Sequence, residues 1–102
     1  MYKSFTLYQA LVEQWAKDRN LITGSTPKDQ FHKLIQEAAE LSESLCKGKD
    51  AKDDLGDILV VLIIIAKQLD LELIDCLAHA YEDIKDRKGE MVDGVFIKEG
   101  DL

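Results

Sequence analysis

Apolar residues recur at helical spacing through most of the chain. In the first stretch the apolar positions 7, 8, 11, 12 and 15 lie on one side of a helix, which predicts an amphipathic helix from about Ser4 to Asn20. A second helix is predicted to begin at Thr26-Pro27, because Thr is a good N-cap and Pro fits the first helical position. It keeps the same rhythm until Lys47-Gly48-Lys49, whose glycine and cations are typical of a helix C-terminus.

The third predicted helix, from near Asp50 to about Leu69, contains eight consecutive apolar residues, Ile58 to Ile65. A helix that is apolar all round must be buried all round, so the pattern predicts a central helix. The same eight residues are rich in β-branched types, which leaves a buried strand open as an alternative.

The remaining residues predict a fourth helix and a tail. The helix is expected from Leu71 to about Lys88, with Asp70 as its N-cap, and the tail from Met91 to Leu102 is expected to form a short strand or an extended arm. The inward positions of this helix are predicted to be Leu73, Ile74, Leu77, Ala80, Tyr81 and Ile84. The expected fold is therefore all-α: an antiparallel four-helix bundle with a short C-terminal extended tail, in a single domain spanning residues 1–102.

Composition and charge narrow the range of partners. A formal net charge of −7 and a pI of about 4.7 argue against nucleic acid or an anionic membrane as the main partner. Two cysteines are too few for a disulfide framework, and nothing at the N-terminus resembles a signal peptide. The nine-residue apolar run 58–66 is also too short to span a membrane. We therefore expect a cytoplasmic protein that binds neither nucleic acid nor membrane.

Four acidic residues form two pairs, Glu37 with Glu40 on the second helix and Asp54 with Asp57 on the third. Each pair has i, i+3 spacing and so faces one side of its helix. Positions 37 and 57, like positions 40 and 54, are symmetrical about residue 47 in the predicted turn, so an antiparallel hairpin sets the four carboxylates at matching heights. If all four face inward they repel one another, and a divalent cation would remove that repulsion. Carboxylate oxygens suit Mg²⁺, with Mn²⁺ as an alternative.

A solvated acidic helix face is the alternative to a metal site, because such acid pairs are common on helix surfaces. The neighbours of the four acids, among them Ala38, Leu41 and Leu55, are small or apolar, which favours the metal site. Gly56 costs about 1 kcal/mol relative to Ala inside a helix. Close approach of another helix or of a phosphate would explain this glycine.

Two segments resemble a known signature: Gln36 to Leu41 (Gln-Glu-Ala-Ala-Glu-Leu) and Asp53 to Leu59 (Asp-Asp-Leu-Gly-Asp-Ile-Leu). They are similar to the Glu-x-x-Glu and Glu-x-x-Asp motifs of the all-α nucleoside triphosphate pyrophosphohydrolases, the MazG-like family. The resemblance spans the second and third helices, and the stretch from Lys85 to Gly94 also looks similar to small bacterial and phage members. Asp54 departs from the pattern, since the family more often has Glu there.

The resemblance implies an enzyme that cleaves a nucleoside triphosphate between its α and β phosphates, releasing a monophosphate and pyrophosphate as a form of nucleotide-pool house-cleaning. It also implies Mg²⁺ bound by Glu37, Glu40, Asp54 and Asp57. This chemistry needs no Ser or Cys nucleophile, because metal ions polarise the phosphoryl group and activate water. Glu37 is the candidate general base.

Each candidate substrate-binding residue has a structural alternative. Lys33 lies one turn before Glu37 and is placed either to bind phosphate or to form an i, i+4 ion pair. Lys85 and Arg87, near the end of the predicted fourth helix, either bind phosphate or offset the helix dipole. Trp15 either stacks on a nucleobase or packs in the core, and its position on an apolar stripe favours the core.

The main rival function is a non-catalytic helical oligomerisation or interaction protein, in which the apolar block 58–65 is only a subunit interface. Under either function, a small chain with a helix that is apolar on every side is expected to need a second copy for burial. We therefore predict a homodimer or a dimer of dimers.

Overall fold

The computed structural model describes all 102 residues, Met1 to Leu102. The chain is mostly helical and carries one small two-stranded antiparallel sheet. Residues 58–65 lie within a helix, so the strand alternative is wrong. None of the helices combines the length and the apolar character that crossing a bilayer would need. The elements in chain order are α1 (Phe5–Asp18), α2 (Pro27–Cys46), α3 (Lys52–Gln68), α4 (Leu73–Ile84), β1 (Gly89–Val92), β2 (Val95–Lys98) and a short 3₁₀ turn (Glu99–Asp101).

The first two helices begin at side-chain caps. The Ser4 hydroxyl accepts a hydrogen bond from the backbone N–H of Leu7 at 3.1 Å. Thr26 and Asp29 form a reciprocal capping box at the start of α2, with Pro27 directly after the cap. Each side chain satisfies a backbone N–H group that has no partner within the helix, which is why α2 begins where the sequence predicts.

α2 and α3 form the helical hairpin on which the candidate site is built. Five residues, 47–51, join them, and the two helices pack against each other, so they run antiparallel. Gly48, at φ +66°, adopts the left-handed conformation that ends α2. α3 also packs on α1, and the buried apolar residues come from these two helices: Ala16, Val61, Ile63, Ile64 and Ala66.

The single chain buries less apolar surface than the pattern predicts. α3 is not buried all round, since Leu55 and Leu59 are 53% and 41% exposed. α4 is also shorter than expected and contains no buried residue. Among its residues predicted to face inward, Leu73 and Ile74 are half-buried, whereas Leu77, Ala80, Tyr81 and Ile84 are exposed. α4 packs on α3, and its half-buried residues all lie among its first four, whereas residues 77–84 are exposed.

The junction between α3 and α4 differs from the prediction. Asp70 adopts a left-handed conformation at φ +57° after the end of α3 and does not cap α4. The buried side chain of Gln9, on α1, caps α4 instead. Its Oε1 accepts a hydrogen bond from the Ile74 N–H at 3.1 Å, and its Nε2 donates to Glu72 Oε2 at 2.7 Å. One amide thus fixes the position where α4 leaves the other helices.

The tail forms a β-hairpin. Asp93 and Gly94 both have positive φ, +50° and +84°, and join β1 to β2 as a two-residue turn of the kind that matches strand twist. The sequence predicted an extended segment at β2 but did not predict β1. The main contacts of β1 are with β2 and the 3₁₀ turn, so the hairpin stands apart from the helices.

Candidate metal centre

Three of the four predicted carboxylates come together. Glu37 and Glu40 project from α2 and Asp57 from α3, and one oxygen of each lies within 4.8 Å of the others. The i, i+3 spacing places both glutamates on the side of α2 that faces α3. The hairpin then sets Asp57 opposite them, as the symmetry about the turn predicts.

The side chain of Glu37 is the most buried member of this cluster, at 7% exposed. Its Oε1 lies 3.1 Å from the Lys33 ammonium. Its Oε2 is buried and accepts no hydrogen bond. An unsatisfied buried carboxylate oxygen costs roughly 1 to 3 kcal/mol or more, and ordinary packing gives no reason to keep one. A cation bound between the three carboxylates would satisfy it.

The charges of the cluster raise the pKa of two of its members. The pKa of Glu40 lies above its ordinary value, first because its proton would be shared with Glu37 in a hydrogen bond, and second because of the Glu37 charge. The pKa of Asp57 is raised mainly by loss of hydration and then by the charges of Asp53, Glu37 and Asp54. Both shifts have the direction expected where carboxylates lie close to one another.

Asp54 stands outside the group whose oxygens lie within 4.8 Å of one another. Its charge still contributes to the raised pKa values of Glu40 and Asp57, so it lies near the cluster without joining it. Gly56 also differs from expectation, because a Cβ added there would meet nothing within 4 Å. No close approach within this chain explains that glycine.

A groove of about 380 Å³ opens beside the cluster and is lined by Glu37, Asp57, Lys33 and Trp15, among others. Trp15 is 44% exposed, and the Arg19 guanidinium lies 4.6 Å from the centroid of its ring. Trp15 is therefore only partly packed and presents surface to the groove. A larger cavity of about 510 Å³ contains none of the clustered carboxylates, so we place the candidate site at the smaller groove.

Lys85 and Arg87 do not reach this groove. They follow α4, where Lys85 pairs with Glu82 at 2.6 Å and Arg87 with Asp83 at 3.1 Å. Neither lines a cavity that contains Glu37 or Asp57. In this chain their observed partners are the acids one turn earlier, which is neither of the two roles predicted for them.

Gln30 is a groove residue that sequence reasoning missed. It lines the groove, and its amide is oriented by donating from Nε2 to the Ser25 hydroxyl at 3.0 Å. The available signal was spacing: Gln30 precedes Lys33 by three residues and Glu37 by seven, so all three lie on the same side of α2.

Comparison with known proteins relates the chain to a phage protein. It is 51% identical over 59 residues to a protein of Haemophilus phage HP1 (strain HP1c1) described as an uncharacterized 18.2 kDa protein in the rep-hol intergenic region. The match covers 56% of this chain and 36% of the phage protein, so the chain spans well under half the length of that relative. That description names no activity. No family model and no solved structure matches the chain.

Proposed function

We propose that this protein is a Mg²⁺-dependent hydrolase that converts a nucleoside triphosphate to a monophosphate and pyrophosphate, in the manner of the MazG-like enzymes. The observation that carries the proposal is the buried, unpartnered Glu37 Oε2 within a three-carboxylate cluster beside an open groove. The Glu-x-x-Glu spacing of Glu37 and Glu40 and the Asp-x-x-Asp spacing of Asp54 and Asp57 support it independently.

The donor set suits a hard divalent cation. Glu37, Glu40 and Asp57 would hold Mg²⁺, or Mn²⁺, through carboxylate oxygens. Asp54 joins them as the fourth carboxylate of the MazG-like signature and adds negative charge from outside the close group. Mg²⁺ held there would supply neutralisation of phosphate charge and polarisation of the phosphoryl group.

We assign the remaining roles, binding of the base and phosphate and acceptance of a proton, to residues of the groove. Trp15 offers a flat aromatic face to a nucleobase. The side chain of Lys33 is 54% exposed, and its ammonium binds a phosphate oxygen. Water attacks the α-phosphorus and the bond to the bridging oxygen breaks, so that pyrophosphate leaves. Glu37 is the candidate general base: with Oε2 on the cation and the Lys33 ammonium drawn to phosphate, its Oε1 would accept the proton from that water.

Lys85 and Arg87 require an assembled protein to take part. In one chain they stand away from the groove, so they bind phosphate only if a second copy brings its own Lys85 and Arg87 there. The assembly we propose is a homodimer or a dimer of dimers, in which the helices of two copies complete the antiparallel four-helix bundle that one copy leaves open.

A non-catalytic oligomerisation or interaction protein is the second candidate function. The extensive exposed apolar surface favours it, since Leu77, Tyr81 and Met91 are each 58% or more exposed. It does not explain why a carboxylate oxygen is buried without a donor at Glu37.

An assay of pyrophosphate release separates the two candidates. A panel of ribo- and deoxyribonucleoside triphosphates is incubated with the protein in Mg²⁺ or in a chelator. We expect Mg²⁺-dependent pyrophosphate release that Glu37→Gln and Asp57→Asn abolish and Glu43→Gln preserves, because Glu43 is an exposed acid of α2 outside the cluster. No release from any nucleotide, with no effect of Mg²⁺ on the protein, would favour the interaction protein.

A further inference from the structure

Lys33 is the basic residue in direct contact with the cluster of Glu37, Glu40 and Asp57. Its ammonium lies 3.1 Å from Glu37 Oε1, on the same carboxylate whose Oε2 is buried without a hydrogen-bond donor. None of the other ion pairs of the chain includes a member of the cluster. The cluster therefore has one cation of its own, which reaches only one of the two oxygens of Glu37.

The charge of Lys33 acts on the other two carboxylates as well. The pKa of Glu40 is raised first by its hydrogen bond with Glu37, and the pKa of Asp57 is raised first by loss of hydration. In both residues the Lys33 charge acts in the opposite direction and lowers the pKa. One ammonium cannot neutralise three carboxylates, so Lys33 offsets part of their charge and a divalent cation would offset more.

The ion pair between Lys33 and Glu37 can open from the lysine side. The side chain of Glu37 is only 7% exposed, whereas that of Lys33 is 54% exposed. A pair with one partner half in solvent contributes little to stability, and the flexible stem of a lysine lets its ammonium turn. Lys33 itself lines the groove of about 380 Å³, so its ammonium can turn from Glu37 into the space that we assign to the nucleotide.

Helix stability does not explain the order of this pair. In an i, i+4 pair the favourable order places the glutamate before the lysine. Glu43 and Lys47, at the other end of α2, follow that order, whereas Lys33 precedes Glu37. The arrangement at Lys33 is therefore the weaker one for the helix, and what distinguishes it is that it brings a cation to the cluster.

We propose that Lys33 is a displaceable counter-ion, which pairs with Glu37 until a divalent cation occupies the cluster and then turns to bind a phosphate group in the groove. Lys33 thus weakens the binding of metal alone and strengthens the binding of the triphosphate. Because coupling between two ligands is reciprocal, the triphosphate should in turn strengthen metal binding. The inference rests on the proposed function, since it takes a divalent cation and a nucleoside triphosphate as the ligands.

Calorimetric titration with Mn²⁺, without nucleotide, tests the first half of the proposal. We expect Lys33→Gln to bind Mn²⁺ about 3- to 10-fold more tightly than the wild type, because a positive charge beside the metal is removed. Lys47→Gln is the matched control: it removes the same charge from an i, i+4 pair, and Lys47 is also 54% exposed. Its affinity for Mn²⁺ should equal that of the wild type. Gln and Lys have similar helix propensities, so both variants should fold.

The fluorescence of Trp15, the only tryptophan of the chain and a residue of the same groove, tests the second half. The probe is a nucleoside triphosphate analogue with a methylene group between the α and β phosphorus atoms, titrated in saturating Mn²⁺. We expect Lys33→Gln to bind it at least about tenfold more weakly than the wild type, since a charged hydrogen bond to phosphate is lost. Lys47→Gln should again match the wild type.

The two changes must have opposite signs, which the loss of a purely structural ion pair would not produce. Mn²⁺ binding that is unchanged or weaker in Lys33→Gln, or analogue binding that is unchanged, would overturn the proposal. Neither titration measures hydrolysis. A protein that shows both changes yet releases no pyrophosphate would therefore contradict the proposed function and leave the role of Lys33 standing. A wild type that does not bind Mn²⁺ would overturn both.

Discussion

Because Glu37 is buried, we expect Glu37→Gln to stabilise the protein without metal and to destabilise it, relative to the wild type, when Mg²⁺ is present. Glu37→Gln keeps the shape of the side chain, removes its charge, and gives it an N–H group that can donate to Glu40 or Asp57. Without metal the variant loses the ion pair with Lys33, which is worth about 0 to 1 kcal/mol because Lys33 is half exposed. It also no longer carries an unsatisfied buried charge, which removes a cost of roughly 1 to 3 kcal/mol. We expect a net stabilisation of about 1 kcal/mol, or a Tm rise of about 4 to 8 °C.

With Mg²⁺ we expect the wild type to be more stable than Glu37→Gln. A ligand at a hundred times its Kd stabilises the wild type by about 2.7 kcal/mol, which corresponds to a Tm rise of roughly 10 to 20 °C for a chain of this length. Glu37→Gln loses a charged ligand, so most of that rise should disappear.

Thermal unfolding by calorimetry, in chelator and in Mg²⁺ at one protein concentration, measures both effects. Glu43→Gln is the matched control, since it removes the same charge from a side chain of α2 that is 60% exposed and should change stability by no more than about 0.5 kcal/mol. The reasoning fails if Glu37→Gln lowers Tm in chelator, or if Mg²⁺ raises the Tm of the variant as much as that of the wild type.

Three further predictions concern the two aspartates of α3, Gly56 and Glu13. Asp57→Asn should reduce turnover by about 10²-fold or more, whereas Asp54→Glu, which restores the side-chain length usual in the MazG-like signature, should keep or improve it; kinetics across Mg²⁺ concentrations decide this. Gly56→Ala should raise Tm by about 4 to 8 °C through a gain of about 1 kcal/mol in helix propensity, because its Cβ meets nothing within 4 Å; a loss of activity or of dimer mass instead would show that phosphate or a second copy occupies that space. The pKa of Glu13 is raised above 4.5, mainly by burial, so the folded state binds its proton more tightly than the unfolded state and stability falls as pH rises from about 4.5 through that raised pKa. Urea unfolding as a function of pH should therefore show a smaller decline in Glu13→Gln than in the wild type, and parallel curves would contradict the assignment.

The helical hairpin and most of the cluster were predictable because they depend on local rules. The periodicity of α2 and α3 and the short turn at Gly48 fix which residues face each other, and from these alone Glu37, Glu40 and Asp57 are placed together. Asp54 could not be resolved in this way, because helical spacing fixes the side of the helix on which a carboxylate lies but not whether its short side chain reaches the others.

The exposure of α4 was not predictable from periodicity. An apolar stripe such as Leu77, Tyr81 and Ile84 shows that a surface needs cover, but it does not show whether the cover comes from the same chain. Long-range polar contacts were equally hidden: Gln9 caps α4 from 65 residues away, and one amide of Gln68 donates to three carbonyl groups of the α1–α2 loop. By contrast, the Asp93-Gly94 pair was a readable signal for the hairpin.

The measurement that tests the central claim most directly is ³¹P NMR of a nucleoside triphosphate incubated with the protein and Mg²⁺. The account predicts that monophosphate and pyrophosphate appear together in equal amounts, only when Mg²⁺ is present, and that both appear about 10²-fold more slowly or not at all with Asp57→Asn. Orthophosphate with a nucleoside diphosphate would place the cleavage at another bond. Product formation that is unchanged in chelator or in Asp57→Asn would show that the three carboxylates are not the site of the reaction.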